Sequence, residues 1–217
     1  PIFNPPILLI YSPMHNPTAS DRYLGYFIVL AIFWVISLLI WASYGYEGAF
    51  LWLNQYHHPF HDQASLYFLT HLADGVILPA LLLLWMWRKD PALAVTGILE
   101  VFATGLFVQG LKVLVFDDWL RPAGLFAEQL DVFIVHPSAP TRHSFPSGHA
   151  TSFATGGLMF SIFLERRVKY MAYAVGLFTI FLCYTPVALG VHFPGDIFVG
   201  SAIGSLGALG LYQWGYP

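Results

Sequence analysis

Charged residues are scarce in this sequence. Asp, Glu, Lys and Arg make up 10% of its 217 residues, whereas a soluble domain carries about 25%. Hydrophobic residues make up 57%, and the mean hydropathy is +0.65. So few polar side chains could not cover a water-facing surface. The composition therefore argues against a soluble domain and predicts a polytopic membrane protein.

Cysteine and clusters of basic residues are scarce as well. The single cysteine, Cys183, excludes an intrachain disulfide and is predicted to be a small buried side chain. The chain has 9 Lys and Arg against 12 Asp and Glu, and no basic patch indicates a nucleic-acid partner. Three neighbouring histidines, His57, His58 and His61, have no matching cluster elsewhere. No metal and no cofactor are therefore expected.

Long apolar runs are abundant, and a membrane-spanning helix needs about 20 mostly apolar residues. The predicted spans are 24–43, 69–87, 91–116, 150–165, 170–190 and 197–216. The sequence thus predicts an all-α polytopic membrane helix bundle with six transmembrane helices, forming a single domain over 24–217. Thirteen residues precede Met14, so the N-terminal segment 1–23 is interpreted either as partly added residues or as an extended stretch.

The basic residues predict the orientation of this bundle, because Lys and Arg favour the cytoplasmic side. The residues on one predicted side are Arg22, Arg88, Lys89, Arg166, Arg167 and Lys169. The remaining three, Lys112, Arg121 and Arg142, all fall on the other side, between the third and fourth spans. We expect these exceptions to serve chemistry, and we place the active site at the non-cytoplasmic membrane face.

Three polar patches lie at the predicted ends of the third to sixth spans on that face. They are "KVLVFDDWLRP" (112–122), "SFPSGH" (144–149) and "TPVALGVHFPGD" (185–196). A helix bundle brings such ends together, so the patches are expected to share one pocket.

The second patch has the features of an anion site. Ser147 is a good helix N-cap, and Gly148 lets a ligand approach the backbone closely. The helix that follows presents free N–H groups and a positive dipole end. His149, in its first turn, could give a proton to a leaving oxygen.

The other two patches supply charge and a nucleophile. Lys112 and Arg121 offer fixed positive charge for phosphate oxygens. Asp196, four residues after His192, could hold one imidazole nitrogen and leave the other free as nucleophile or base. Together the three patches predict a phosphoryl-transfer site that does not call for a metal.

These residues resemble the type 2 phosphatidic acid phosphatase superfamily, membrane lipid phosphatases that share a site with vanadium haloperoxidases. The shared pattern is Lys and Arg-Pro, then Pro-Ser-Gly-His, then His-x-x-x-Asp, and it covers 112–196. The resemblance implies that His192 forms a phosphohistidine, that Asp196 orients it and that His149 is the general acid. The residues it implies for phosphate binding are Lys112, Arg121, Ser147 and the Gly148 amide.

The sequence departs from the family pattern in two places. Eight residues separate Lys112 from Arg121, where the family has six, and a longer loop costs little. Pro186 stands where the family has an arginine, six residues before His192. The lost charge-assisted contact would contribute about 1.5–3 kcal/mol. Arg142, or His143 beside it, is the candidate to replace that contact.

The leading hypothesis is an integral membrane phosphatase that removes phosphate from a lipid phosphate or pyrophosphate at the outer leaflet of a bacterial inner membrane. Candidate substrates are undecaprenyl pyrophosphate, phosphatidylglycerol phosphate, phosphatidic acid and lipid A phosphate. Alternatives are a lipid phosphotransferase and, because of Pro186, a non-catalytic lipid-phosphate-binding protein. A serine hydrolase using Ser147 is disfavoured, since no Gly-x-Ser-x-Gly elbow is present. Small residues over 200–210 predict close helix packing and permit a homodimer.

Overall fold

A computed structural model describes residues 21–55, 71, 77–126, 128 and 140–215 of the chain. Within these residues the chain forms helices and no strand, which confirms the predicted all-α class. The helices are α1 (Asp21–Asn54), α2 (Ile77–Met86), α3 (Pro91–Leu114), α4 (Pro122–Leu125), α5 (Gly148–Glu165), α6 (Met171–Ala188) and α7 (Pro194–Gly215).

Four of the described helices are long and apolar enough to cross a membrane. They are Arg22–Asn54, Pro91–Leu114, Met171–Ala188 and Pro194–Gly215. The second predicted span, 69–87, lies largely outside the described residues. The fourth span corresponds to α5, whose 18 residues include several Ser, Thr and Gly and are mostly buried within the bundle. Six spans therefore remain a prediction.

Helix α5 is the centre of the bundle, and it packs in parallel against α7. Gly200 and Gly204 of α7 lie against the backbone of α5. An added Cβ would come within 2.4 Å of the Ser147 carbonyl oxygen and 2.3 Å of the Thr151 carbonyl oxygen. The Thr151 hydroxyl donates to the Gly200 carbonyl at 3.0 Å. The predicted close packing of 200–210 is thus confirmed for these two glycines inside one chain, and it brings the N-termini of α5 and α7 together.

Helix α3 packs antiparallel to α5. The Thr104 and Thr155 hydroxyls lie 3.0 Å apart, and Gly97, about two turns earlier in α3, faces Met159 further along α5. The C-terminus of α3, which carries Lys112, therefore lies at the end of the bundle where α5 begins. The expectation that the polar patches converge is met for this pair of ends.

At the opposite end of the bundle, polar contacts join the turn between α2 and α3 to the turn between α5 and α6. Asp90 caps α3 by accepting from the Leu93 amide at 3.0 Å, and it pairs with Arg166 at 2.8 Å. The carboxylate of Glu165, which is buried, accepts from the backbone amides of Tyr170 and Ala172, at the start of α6, at 2.8 Å each. These contacts fix the short connection between α5 and α6.

Helix α1 bends sharply at Gly45, where φ is +71°. Glycine adopts this left-handed conformation without the Cβ penalty of other residues. Beyond the bend, Tyr46 and Phe50 pack on the aromatic ring of Phe193, with ring centroids 4.5 and 5.4 Å away. The end of α1 thus covers the loop between α6 and α7.

Candidate active site

The N-terminus of α5 has the geometry of an anion site. Ser147 is its N-cap, and the Ser147 hydroxyl accepts from the Ala150 amide at 3.3 Å. A Cβ built at Gly148 would meet no atom within 4 Å. Within the described part of the chain, the Gly148 N–H has no hydrogen-bond acceptor, as is usual for the first amides of a helix. Open space therefore lies beside a backbone donor and a positive dipole end.

His192 lies in the tight turn that joins α6 to α7. Gly190, with φ +68°, ends α6 in the left-handed conformation typical of helix C-termini. The Pro186 carbonyl accepts from the amides of Val191 at 2.8 Å and His192 at 3.2 Å. The backbone of His192 is thereby fixed from both sides, since Pro194 begins α7 two residues later.

Pro186 itself is buried inside α6. A proline has no N–H to donate to the carbonyl of Leu182, four residues earlier. The Thr185 hydroxyl donates to that carbonyl instead, at 2.8 Å. Thr185 and Pro186 therefore make a locally consistent helix end, although Pro186 stands where the family pattern has an arginine.

The carboxylate of Asp196 is fully buried and accepts four hydrogen bonds. One oxygen, Oδ2, accepts from His192 Nδ1 at 3.0 Å, from the Ser144 hydroxyl at 2.5 Å and from the Phe193 amide at 3.0 Å. The other oxygen, Oδ1, accepts from the Tyr46 hydroxyl. The predicted pairing of Asp196 with His192 is present in the structure.

Burial and nearby positive charge favour the neutral form of the His192 ring. Burial lowers the pKa of His192 well below its usual value, and the positive charges of Arg121 and Lys112 lower this pKa further. A neutral imidazole has one N–H. Since an ionised carboxylate only accepts hydrogen bonds, the proton of His192 lies on Nδ1, and its Nε2 carries a lone pair.

That lone pair faces the second predicted histidine. His149 Nδ1 lies 3.4 Å from His192 Nε2. Because His192 Nε2 is the acceptor, His149 Nδ1 carries the proton of this contact. The structure therefore places a proton donor opposite the nitrogen predicted to be the nucleophile.

Two cations approach the pair of histidines from the segment 112–121. Lys112, in the last turn of α3, is 6% exposed. Arg121 precedes α4, and its Nε donates to the Arg142 carbonyl at 3.0 Å. Burial lowers the pKa of Arg121, while the negative charge of Asp196 opposes this effect. The positive charges of both residues lower the pKa of His192, and their contact with phosphate stays a prediction.

Arg142 differs from the other predicted site residues because its side chain is exposed. Its backbone carbonyl, rather than its guanidinium, takes part in the described network by accepting from Arg121. The neighbouring His143 pairs with Asp117 at 2.6 Å. This pair joins the loop after α3 to the loop before α5. Contact between Arg142 and phosphate remains a prediction.

Two residues that hold the site were not assigned a role from the sequence. Ser144 belongs to the second patch, but nothing in its spacing indicates a bond to Asp196, 52 residues later. Tyr46 lies outside all three patches and is 150 residues from its partner Asp196. Among so many aromatic residues in membrane-spanning runs, no sequence signal distinguishes Tyr46.

A separate cavity of about 420 Å³ lies between α2, α5 and α6. Its lining residues are Leu81, Phe153, Gly156, Gly157, Phe160, Leu164, Met171, Ala174, Val175, Phe178, Thr179 and Leu182. None of these side chains is titratable. Across the described residues, no group of three or more His, Cys, Asp and Glu is placed to hold a metal ion. The histidines at 57, 58 and 61 lie outside the described residues.

Known proteins are similar to this chain in sequence and in fold. The profile of the PAP2 superfamily matches residues 92–217, more than half of the chain. This chain belongs to the PAP2 superfamily. A lipid A 4'-phosphatase from Bacteroides thetaiotaomicron is 30% identical over 167 residues, which cover 72% of this chain and 71% of that relative. The family predicted from the three patches is therefore confirmed.

Two crystal structures share the fold of this PAP2 protein. LpxE from Aquifex aeolicus has a TM-score of 0.65 at 24% identity, over 77% of this chain and 94% of its own. A transmembrane PAP2-type phosphatidylglycerolphosphate phosphatase from Bacillus subtilis has a TM-score of 0.50 at 20% identity, over 89% of this chain and 93% of its own. Family membership and the apolar helices identify an integral membrane phosphatase of lipid metabolism.

Proposed function

We propose that this protein hydrolyses a phosphate monoester on a membrane lipid through a phosphohistidine at His192. The observation that carries the proposal is the line of groups Asp196–His192–His149, with distances of 3.0 and 3.4 Å between successive polar atoms. The line holds a neutral nucleophile between a buried carboxylate and a proton donor, which is the arrangement that covalent catalysis requires.

In the first step, the lone pair of His192 Nε2 attacks phosphorus, and an N–P bond forms. The P–O bond to the lipid breaks, and protonated His149 gives its proton to the leaving oxygen. The His192 ring keeps its Nδ1 proton and becomes positively charged. The adjacent carboxylate of Asp196 stabilises that charge, so the nucleophile becomes a better partner for Asp196 as the reaction proceeds.

In the second step, His149, now neutral, takes a proton from water, and the oxygen of that water attacks phosphorus. The N–P bond breaks, its electron pair returns to His192 Nε2, and inorganic phosphate leaves. Lys112, Arg121 and the Gly148 amide would hold the non-bridging oxygens in both steps. Their charges and dipole are already in place, so little reorganisation accompanies the reaction.

The two histidines must separate for phosphate to bind. Reacting atoms in a near-attack arrangement are about 3–3.5 Å apart, and the two nitrogens are themselves only 3.4 Å apart. His192 is fully buried and held through both its backbone and Nδ1, whereas His149 is partly exposed. We therefore assign the movement to the His149 ring, which turns aside as the phosphate enters.

The substrate class rests on the membrane location and on the relatives. The Bacteroides thetaiotaomicron relative is named for the 4'-phosphate of lipid A, so a phosphorylated glycolipid of this kind is the first substrate to test. Five basic residues lie near Asp90, at the bundle end opposite the histidines: Arg88, Lys89, Arg166, Arg167 and Lys169. The positive-inside bias then orients the site towards the non-cytoplasmic face, in a bacterial inner membrane.

Pro186 supports one alternative, a site that binds lipid phosphate without turnover. The proline is buried, and Thr185 satisfies the carbonyl it leaves unpaired, so the helix end forms without an arginine at this position. A charge-assisted contact missing from the transition state would lower the rate by about one to two orders of magnitude.

The test is release of inorganic phosphate from purified protein in detergent, with lipid A phosphate, phosphatidic acid, phosphatidylglycerol phosphate and undecaprenyl pyrophosphate as substrates. The wild type is compared with His192→Ala and Pro186→Arg. Phosphate release that disappears in His192→Ala, with a 32P-labelled protein intermediate in the wild type alone, is the expected result. Release by His192→Ala at the wild-type rate would overturn the mechanism.

The Pro186→Arg variant distinguishes a site that hydrolyses lipid phosphate from one that only binds it. We expect it to raise kcat at least tenfold if the arginine side chain reaches the phosphate. A silent wild type with an active Pro186→Arg variant would instead favour the binding function. Transfer of phosphate to an added lipid acceptor, without release to water, would favour a phosphotransferase.

A further inference from the structure

We propose that Tyr46 is a positioning residue for the His192–Asp196 pair. This inference rests on the proposed function, because it concerns how that nucleophile is held. Tyr46 belongs to none of the three polar patches and reaches the site from α1. It adds α1 to a site otherwise built from α3, α5, the α6–α7 turn and α7.

The hydrogen bonds of Asp196 divide unequally between its two oxygens. Three donors, from His192, Ser144 and the Phe193 amide, all bond to Oδ2. The Tyr46 hydroxyl bonds to Oδ1. Within the described residues it is the only donor to this oxygen. Tyr46 therefore prevents the carboxylate from rotating about its Cβ–Cγ bond, which would carry Oδ2 away from His192 Nδ1.

The ring of Tyr46 is itself held in place by packing. It packs against Phe193 at a centroid distance of 4.5 Å, against Trp119 at 5.2 Å and against Trp41 at 6.0 Å. A Cβ at Gly195 would lie 3.1 Å from the ring, so the glycine allows the ring to lie on the first turn of α7. The bend at Gly45 brings Tyr46 over this surface. Because packing already fixes the ring, its hydroxyl loses little conformational entropy when it forms the hydrogen bond.

The bond has a chemical consequence for His192. A hydrogen bond from Tyr46 disperses negative charge from Asp196, so the carboxylate attracts a proton on His192 less strongly. Loss of the hydroxyl concentrates that charge, stabilises the His192 imidazolium and raises the pKa of His192. The other charged or titratable groups around the pair are Lys112 of α3, Arg121 before α4, His149 of α5 and, beside Tyr46, Glu47 of α1.

The experiment compares Tyr46→Phe with Tyr44→Phe as a matched control. Tyr44 lies on the same helix, is exposed and stacks on Trp52. We expect Tyr46→Phe to lower kcat by about one to two orders of magnitude, with KM changed by less than about twofold. The acid limb of the kcat/KM profile moves to higher pH, because the neutral form of His192 attacks. Tyr44→Phe leaves all three quantities unchanged.

A double-mutant cycle tests whether Tyr46 acts through Asp196. In an Asp196→Asn background, Tyr46→Phe is expected to cause no further loss of kcat. An independent loss in that background, or a Tyr46→Phe enzyme with wild-type kcat and an unshifted acid limb, would overturn the proposal.

A readout without turnover keeps this proposal distinct from the proposed function. NMR of protein with 15N-labelled histidine, in detergent, reports the Nδ1–H of His192 and its hydrogen bond. We expect Tyr46→Phe to shift this resonance and Tyr44→Phe to leave it in place. If the wild type releases no phosphate but the resonance shifts as expected, the positioning role stands and the proposed hydrolysis fails. An unshifted resonance in Tyr46→Phe overturns the positioning role whatever the activity.

Discussion

Replacing Gly200 with alanine is expected to damage the site without touching any reacting group. An added Cβ would lie 2.4 Å from the Ser147 carbonyl oxygen, whereas ordinary van der Waals contact begins at 3.4 Å. The obstacle is backbone on both sides, because Gly200 is in α7 and Ser147 begins α5. No side chain can rotate away, so the two helix ends must separate by about 1 Å.

The magnitude follows from packing and from catalytic geometry. Overpacking of this kind destabilises a protein by about 1–3 kcal/mol. The same movement displaces the N-terminus of α5 from His192, and a misplacement of about 1 Å lowers rates by about 100-fold. The Ser147 amide, which donates to the Asp196 carbonyl at 3.1 Å, would lose that bond as well.

The assay measures thermal unfolding in detergent together with phosphate release. Gly210→Ala is the matched control, because Gly210 is exposed on the same helix and a Cβ there meets nothing within 4 Å. We expect Gly200→Ala to lower the melting temperature and kcat, while Gly210→Ala preserves both or raises stability slightly. If Gly200→Ala unfolds at the wild-type temperature and retains full activity, the close contact between α5 and α7 is incorrect.

Two further predictions concern buried charges. Lys112→Met removes a positive charge that lowers the pKa of His192, so this pKa rises and the acid limb of kcat/KM moves to higher pH, while phosphate affinity falls. An acid limb at the wild-type pH would show that Lys112 does not act on His192. Glu100 is 2% exposed, and neither of its carboxylate oxygens has a hydrogen-bond partner among the described residues. Because an unpaired buried polar group opposes folding, Glu100→Met, which removes both oxygens, is expected to raise the melting temperature by a few degrees; a lower melting temperature would indicate that the carboxyl group has a partner outside the described residues.

Much of this protein could be predicted from local sequence. Apolar runs predicted helices because a chain in lipid must satisfy its backbone hydrogen bonds within each helix. Pro-Ser-Gly-His predicted the start of α5 because Ser147 caps a helix through its own neighbours. His192 and Asp196 are four residues apart, so their contact depends only on the local backbone conformation.

Hydropathy alone does not decide whether α5 counts as a span, because α5 is interior, and the six-span count stays a prediction. Its Thr151 and Thr155 hydroxyls bond to backbone carbonyls of the facing helix α7. These polar groups lower its hydropathy although the helix is buried. Hydropathy measures the affinity of a segment for lipid, and a helix surrounded by other helices is not selected for that affinity.

The sequence by itself determined the membrane class, the helical secondary structure and the three patches, because each depends on composition or on contacts within a few residues. Only the tertiary structure decided which distant groups complete the site. Tyr46 and Asp196 are 150 residues apart, and their hydrogen bond exists because Gly45 bends α1 and Gly195 leaves room for the ring. Likewise, Arg142 is close in sequence to the second patch, yet its side chain is exposed. Helix packing decides where these side chains point, and the spacing of residues along the chain does not.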